Sequence, residues 1–153
     1  GAIAPIPSDV TTSGTADDKV TTAKTEVKTS EKVHADGTKE TVAEVKVSAA
    51  NQREIIKQAK QNDSKEIILE VPARAAGNAT SANVQLEKAF LNQLLNETSA
   101  SLTIKTPFGD AAYTQDELKA LSEKTDGDIV RRIRKRKKRN ASHRQKQPRS
   151  RSI

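Results

Sequence analysis

Apolar residues are sparse in this chain, and most fall into short periodic runs separated by polar stretches. The one segment built like a fully covered strand is Lys65–Val71, KEIILEV, where Ile67, Ile68 and Leu69 are consecutive and large. Such a run predicts a strand covered on both faces, and Pro72, which has no N–H for a ladder, ends it. The other elements are predicted around this central strand. From Lys24 onward Val27, Thr29 and Val33 alternate with polar residues, and within Glu40–Val47 so do Ala43, Val45 and Val47. A period of two predicts two half-buried strands. Between them, His34-Ala35-Asp36-Gly37-Thr38 signals a hairpin. A two-residue Asp36-Gly37 turn would split the apolar set across both faces of the pair. A three-residue loop, Asp36–Thr38, keeps it together by pairing Val27 with Val47 and Thr29 with Val45, and is the expected form.

Ser48 is placed to cap a helix over Ala49–Gln61, with Ile55, Ile56 and Ala59 on its inner face and Asn62-Asp63-Ser64 at its end. The central strand is followed by a loop, Ala73–Ser81, and then by Ala82, Val84 and Leu86 alternating as a strand. Phe90, Leu91, Leu94 and Leu95 form the strongest helical stripe. Leu102-Thr103-Ile104, a turn at Pro107-Phe108-Gly109-Asp110, and Ala112-Tyr113 read as two more strands. Thr114-Gln115-Asp116-Glu117 is a capping box that starts a helix carrying Leu118 and Leu121. The expected fold is α+β: a single small domain of about three β-β-α units over residues 24–124, a mixed sheet with helices packed on one face. Residues 1–23 are rich in Thr, Ser, Ala, Pro and Asp without an apolar period, and are expected to be a disordered linker. Residues 125–153 are expected to be a mostly disordered basic tail.

Composition adds a limit and a charge split. Hydrophobic residues make up 33% and aromatics 2%, enough for a modest core built with Phe90, Phe108 and Tyr113 as the only rings. The formal charge of +7 is unevenly spread: Ile129–Ile153 holds twelve Lys or Arg and no acid. That leaves fifteen of the 27 basic residues against all 20 acids, a body of net −5. The absence of cysteine excludes disulfides, thiol catalysis and thiolate metal sites. There is also no methionine, and the chain opens GAIAPIPSD, an end that removal of a signal peptide or a cut within a longer protein would leave, with export the favoured expectation. No stretch has the apolar length of a membrane span.

The runs VQLEKAFLNQLL and SLTIKTPFGDAAYTQDELKAL resemble a β/α module that recurs in cell-surface proteins of Gram-positive bacteria, often near S-layer homology repeats. Leu102, Ile104, Gly109, Tyr113, Leu118 and Leu121 stand at the corresponding places of its strand, turn, short strand and capped helix. The likeness extends from about residue 40 to Lys124 and rests on structural motifs. It implies an extracellular, non-catalytic module. Neither an S-layer repeat nor an LPxTG-type sorting signal accompanies it.

Candidate chemistry is confined to the basic end. His34 and His143 lack partners at the spacing a metal or catalytic site needs. Asp126-Gly127-Asp128 lacks the downstream ligands of a calcium loop and reads as a helix C-terminus followed by an Asp cap. Asp116-Glu117 suits the positive end of a helix dipole. No catalytic residue, metal site or cofactor is therefore expected, and the chain is read as a non-enzyme and a monomer. Arg131, Arg132, Arg134, Lys135, Arg136, Lys137, Lys138 and Arg139 form the one candidate site, a polyanion-binding run. No aromatic is interleaved among them, so charge is what they offer, and charge meets phosphate without reading sequence. Nucleic acid, anionic wall polymer and anionic membrane surface are the partner classes. The leading expectation is a non-catalytic extracellular or cell-surface structural or interaction module whose basic tail contacts anionic polymers non-specifically. The alternative is an intracellular, cytoplasmic nucleic-acid-binding protein acting through the same tail.

Overall fold

The computed structural model describes residues 10–15, 17–124 and 126–134. In chain order they form β1 (Val10–Ser13), β2 (Val20–Lys24), β3 (Glu26–Val33), β4 (Lys39–Lys46), α1 (Ala49–Asn62), β5 (Glu66–Glu70) and α2 (Ala73–Ala76). There follow β6 (Ser81–Leu86), α3 (Lys88–Glu97), β7 (Ser101–Thr106), β8 (Gly109–Tyr113), α4 (Gln115–Lys124) and β9 (Ile129–Arg134). Local signals set most of these boundaries. Ser48 accepts the Asn51 N–H at 3.1 Å and starts α1, and Asp63, in the left-handed region at φ 53°, ends it. Thr114 and Glu117 exchange bonds of 2.8 and 3.1 Å at the start of α4, the two orphan donors of a helix end satisfying each other through side chains.

The α+β class holds, with three β-β-α units in the element order, but the strands divide between two sheets. One has the order β1-β2-β5-β7-β8 and the other β3-β4-β6-β9. The connection decides whether a unit's two strands stay together. A tight hairpin keeps β3 with β4, and Pro107-Phe108 keeps β7 with β8. The longer stretch from Val71 to Thr80, which contains the single-turn helix α2, lets β5 and β6 enter different sheets. The chain likewise passes from β2 to β3 over Thr25 alone, whose N–H and hydroxyl are both tied to the Glu70 carbonyl. Each return to the first sheet thus runs through the second sheet and a helix, and β2, β5 and β7 lie parallel, as a crossover requires.

β5 is the central strand of its sheet, as its composition predicts, but only one of its faces is dry. Ile67 and Leu69 are fully buried, while Ile68 is half-buried and looks out beside Thr22 and Thr103. The three longer helices form one layer, α1 against α3 and α3 against α4, and α1 and α4 lie over β1–β2 and β7–β8. A single core cluster joins the inner faces of both sheets to Ile55, Phe90, Leu91, Leu94 and Leu118.

Three further expectations need correction. The expected linker, residues 1–23, contains β1 and most of β2, and β2 pairs with β5 at the middle of the sheet. Its apolar signal is weak because hydrogen bonds do much of the joining. Thr21 is fully buried with its hydroxyl 2.9 Å from Thr12 and 2.8 Å from Ser64, while Gln58 of α1 contacts both Thr12 and the Val10 carbonyl. Threonine is β-branched and suits a strand without adding hydrophobicity. The domain likewise does not end at Lys124: the part of the expected disordered tail through Arg134 includes β9, which pairs antiparallel with β6 and sets Ile129 opposite Leu86 and Ile133 opposite Ala82. The β3–β4 register, finally, is two residues from the expected one, with Val27 opposite Val45 and Thr29 opposite Ala43. The loop is three residues, but it is Ala35–Gly37, closed by His34 and Thr38, with Gly37 at φ 90° in its last position. That is the position at which a three-residue hairpin needs positive φ. A shift of two preserves which side chains share a face.

Candidate polyanion-binding edge

β9 is an edge strand of the second sheet, and β8 is an edge strand of the first; the two edges approach each other without pairing. Alternation along β9 turns Ile129, Arg131 and Ile133 toward the side of the buried Val84 and Leu86, and Val130, Arg132 and Arg134 toward the outer face. Ile129 and Ile133 bring the strand onto β6, and the charged residues between them keep its free edge polar, a common defence against further strand pairing. Asp128 fixes the entry. Its two carboxylate oxygens accept from Gln85 Nε2 and from the Lys88 N–H, each at 3.1 Å. Glu87 at the start of α3 makes no side-chain cap, so Asp128 supplies one from a distance of 40 residues. The expected Asp cap is real but belongs to a different helix.

Of the eight expected polyanion-binding residues, Arg131, Arg132 and Arg134 lie on β9, whereas Lys135, Arg136, Lys137, Lys138 and Arg139 fall outside the described residues. His143 does as well. The three arginines have different surroundings. Arg131 donates from Nε to the Tyr113 hydroxyl at 2.8 Å, and its Cζ is 5.8 Å from the ring centre. Arg132 donates from Nη2 to Glu40 Oε1 at 3.3 Å. The Arg134 side chain makes no hydrogen bond or ion pair within the described residues, but its charge is felt at Glu40.

Glu40, on β4, is the hub of this end of the sheet. It receives the Ser81 and Thr80 hydroxyls at 3.2 and 3.3 Å, and His34 Nε2 is 3.2 Å from its other oxygen. Removal from water works to raise its pKa, but the Ser81 bond, Arg132, Arg134 and Thr80 together hold it below the ordinary 4.5. A serine, a histidine and a carboxylate meet here, yet both Ser81 and His34 reach the acid and not each other. Ser81 is fully buried. A nucleophile needs its base within hydrogen-bond reach, so this cluster ties β3, β4, β6 and β9 together. No three His, Asp or Glu side chains gather as metal ligands among the described residues.

Between β8 and β9 runs an open groove of about 540 Å³, walled by Phe108, Asp110, Tyr113, Arg131, Ile133 and Arg134. Three guanidinium groups line it against one carboxylate, Asp110. Glu40, Phe108 and Tyr113 belong to this neighbourhood although linear sequence placed them far from the arginines. The one hint was that Tyr113 is the sole tyrosine and ends a strand. No helix among the described residues is long and apolar enough to cross a membrane. No protein-family model, curated protein or solved structure matches the chain.

Proposed function

We propose that this chain is a non-catalytic structural or interaction module that holds anionic polymers by charge, through β9 and the basic run that continues it. The observation that carries the reading is the placing of Arg131 and Arg134. Both side chains are exposed on a free sheet edge, neither forms an ion pair within the described residues, and the next residues in sequence are Lys135–Arg139. Twelve basic residues and no acid from Ile129 onward, on a body that is net acidic, confine attraction for a polyanion to this end. Among the described residues this end offers a sheet edge and no helix for reading base edges, which supports recognition of backbone charge over sequence. The resemblance to bacterial surface modules supports an extracellular or cell-surface setting.

The test is a binding series at one ionic strength against duplex DNA, a polyol-phosphate polymer and anionic vesicles, repeated as salt is raised. Comparable affinities that fall steeply with salt are expected, because counterion release is the driving term. Joint charge-neutral replacement of Arg131, Arg134 and Lys135–Arg139 should abolish binding. Preference for one DNA sequence that survives high salt would overturn the reading in favour of an intracellular nucleic-acid binder. Protection of the domain from external protease on intact cells would overturn the extracellular setting.

A further inference from the structure

We infer that the β8–β9 groove is a built receptor for single phosphate groups of a linear phosphate polymer without bases, and that Arg131 is the receiving side chain. The assignment rests on the polyanion reading above and adds the residue, its orientation and the ligand class. Arg132 is engaged with Glu40 at 3.3 Å, and Arg134 lends its field to the same carboxylate. Arg131 is held differently, by a neutral group. Its Nε bond to the Tyr113 hydroxyl is 2.8 Å. With Cζ 5.8 Å from the ring centre, near the outer reach of a cation–π contact, the hydrogen bond does the holding.

Two consequences follow from that geometry. A phenol does not compensate the guanidinium charge, so Arg131 keeps all of it. Its two Nη groups bond to no described residue, and with Nε occupied they are presented together as a fork. Two N–H groups in a fork match two oxygens of one phosphate. Fixing the side chain in the free protein also removes part of the ordering cost that a loose lysine or arginine meets on binding.

The groove walls select among phosphate polymers. Phe108, Tyr113 and Ile133 are half-buried and packed against the core. No ring at this site is fully exposed as a stacking platform, which single-stranded nucleic acid uses base by base. A chain of phosphates with a small or absent organic part needs no such platform.

The experiment uses the full chain and inorganic polyphosphate, with oligothymidylate and a polyol-phosphate polymer as comparison arms. Tyr113 is the only tyrosine and there is no tryptophan, so intrinsic emission reports this groove alone. Polyphosphate should change that emission saturably. Calorimetry should then show Arg131→Lys and Tyr113→Phe each weakening polyphosphate binding about tenfold, the scale of a lost bond to a charged group, although neither alters net charge. Lys57→Arg, an exposed position on α1, which packs on β1, β2 and α3 and not at the groove, is expected to bind as the parent does. Far-UV circular dichroism and melting of each variant separate lost binding from lost folding. Parent-like affinity in both Arg131→Lys and Tyr113→Phe would overturn the assignment while leaving generic polyanion binding standing. Tighter binding of oligothymidylate than of polyphosphate would overturn the base-free ligand class. No binding of any of the three polymers by the parent would bring down both this assignment and the polyanion reading.

Discussion

Leu69 has no exposed surface and sits on the middle strand of the larger sheet, with β2 on one side and β7 on the other. Leu69→Ala removes that contact and leaves a space its strand neighbours cannot close. A loss of about 2–5 kcal/mol is expected in urea unfolding, and a loss below about 1 kcal/mol would mean the site collapses or is not central. Glu40 is a residue of the opposite kind, partly wet and multiply bonded. Its pKa is lowered in the folded chain from the ordinary 4.5. A depressed carboxylate binds its proton less readily folded than unfolded, so its stabilisation is complete above 4.5 and is lost as pH falls through the lower folded value. Glu40→Gln should therefore flatten the acid limb of stability against pH while leaving its shape above neutrality intact. An unchanged acid limb in that variant would show that Ser81, Arg132 and Arg134 do not act on this carboxylate.

At the scale of elements, the most informative are the two at the margins of the fold. β1 and β2 are joined by a turn in which Gly14 has φ 112°, and a Cβ there would fall 2.5 Å from the Asp18 carbonyl oxygen. Neither the backbone conformation nor the space admits a side chain. Gly14→Ala is expected to destabilise by more than the 0.5–1 kcal/mol (roughly) that glycine itself costs in regular structure, read as a lowered urea midpoint. Amide exchange offers a separate check on β2. Thr21, Thr22 and Ala23 lie between β1 and β5, so their amides should be among the slowest, and exchange as fast as in an open chain would remove β2 from the sheet. At the other margin, Asp128 joins β9 to the start of α3. Asp128→Ala removes a cap, a change of about 0.5–2 kcal/mol, and should raise exchange at both α3's first turn and β9.

For the whole molecule, one core serves two sheets, and the boundary of cooperative folding follows the core. Val10 at one end and Ile129 at the other both belong to it. Cutting before Ile129 would uncover Leu86 and Ala82, which β9 pairs against, so that truncation should lower the melting temperature. Cutting after Arg134 should not. Equal melting of the two truncated forms would mean that β9 only rests on the body. The same strand carries the arginines, so the proposed binding edge and part of the fold's closure are one element. Removal of the whole basic end is therefore a poor test of charge alone, and substitution of its side chains is the cleaner one.

Sequence by itself determined the features whose causes are local. The run Ile67–Leu69 with Pro72 behind it marks a central strand, Ser48 and the Thr114–Glu117 pair start helices wherever they are placed, and Gly37 demands a turn. These follow from backbone propensity, unpaired helix ends and the period of apolar residues, all legible within a few positions. Tertiary structure alone decided the division into two sheets, because a β-β-α order is the same whether its strands pair with each other or with others. It also decided β1 and β2, whose joins are hydroxyls and an amide meeting across 46 and 43 residues, pairings that no periodicity announces. The basic run was legible as charge, and its first three arginines as candidates. That Arg131 is oriented by Tyr113, 18 residues away on the edge of the other sheet, depended on how the two edges meet, since an arginine's reach and a tyrosine's hydroxyl become a geometry only when packing brings them together.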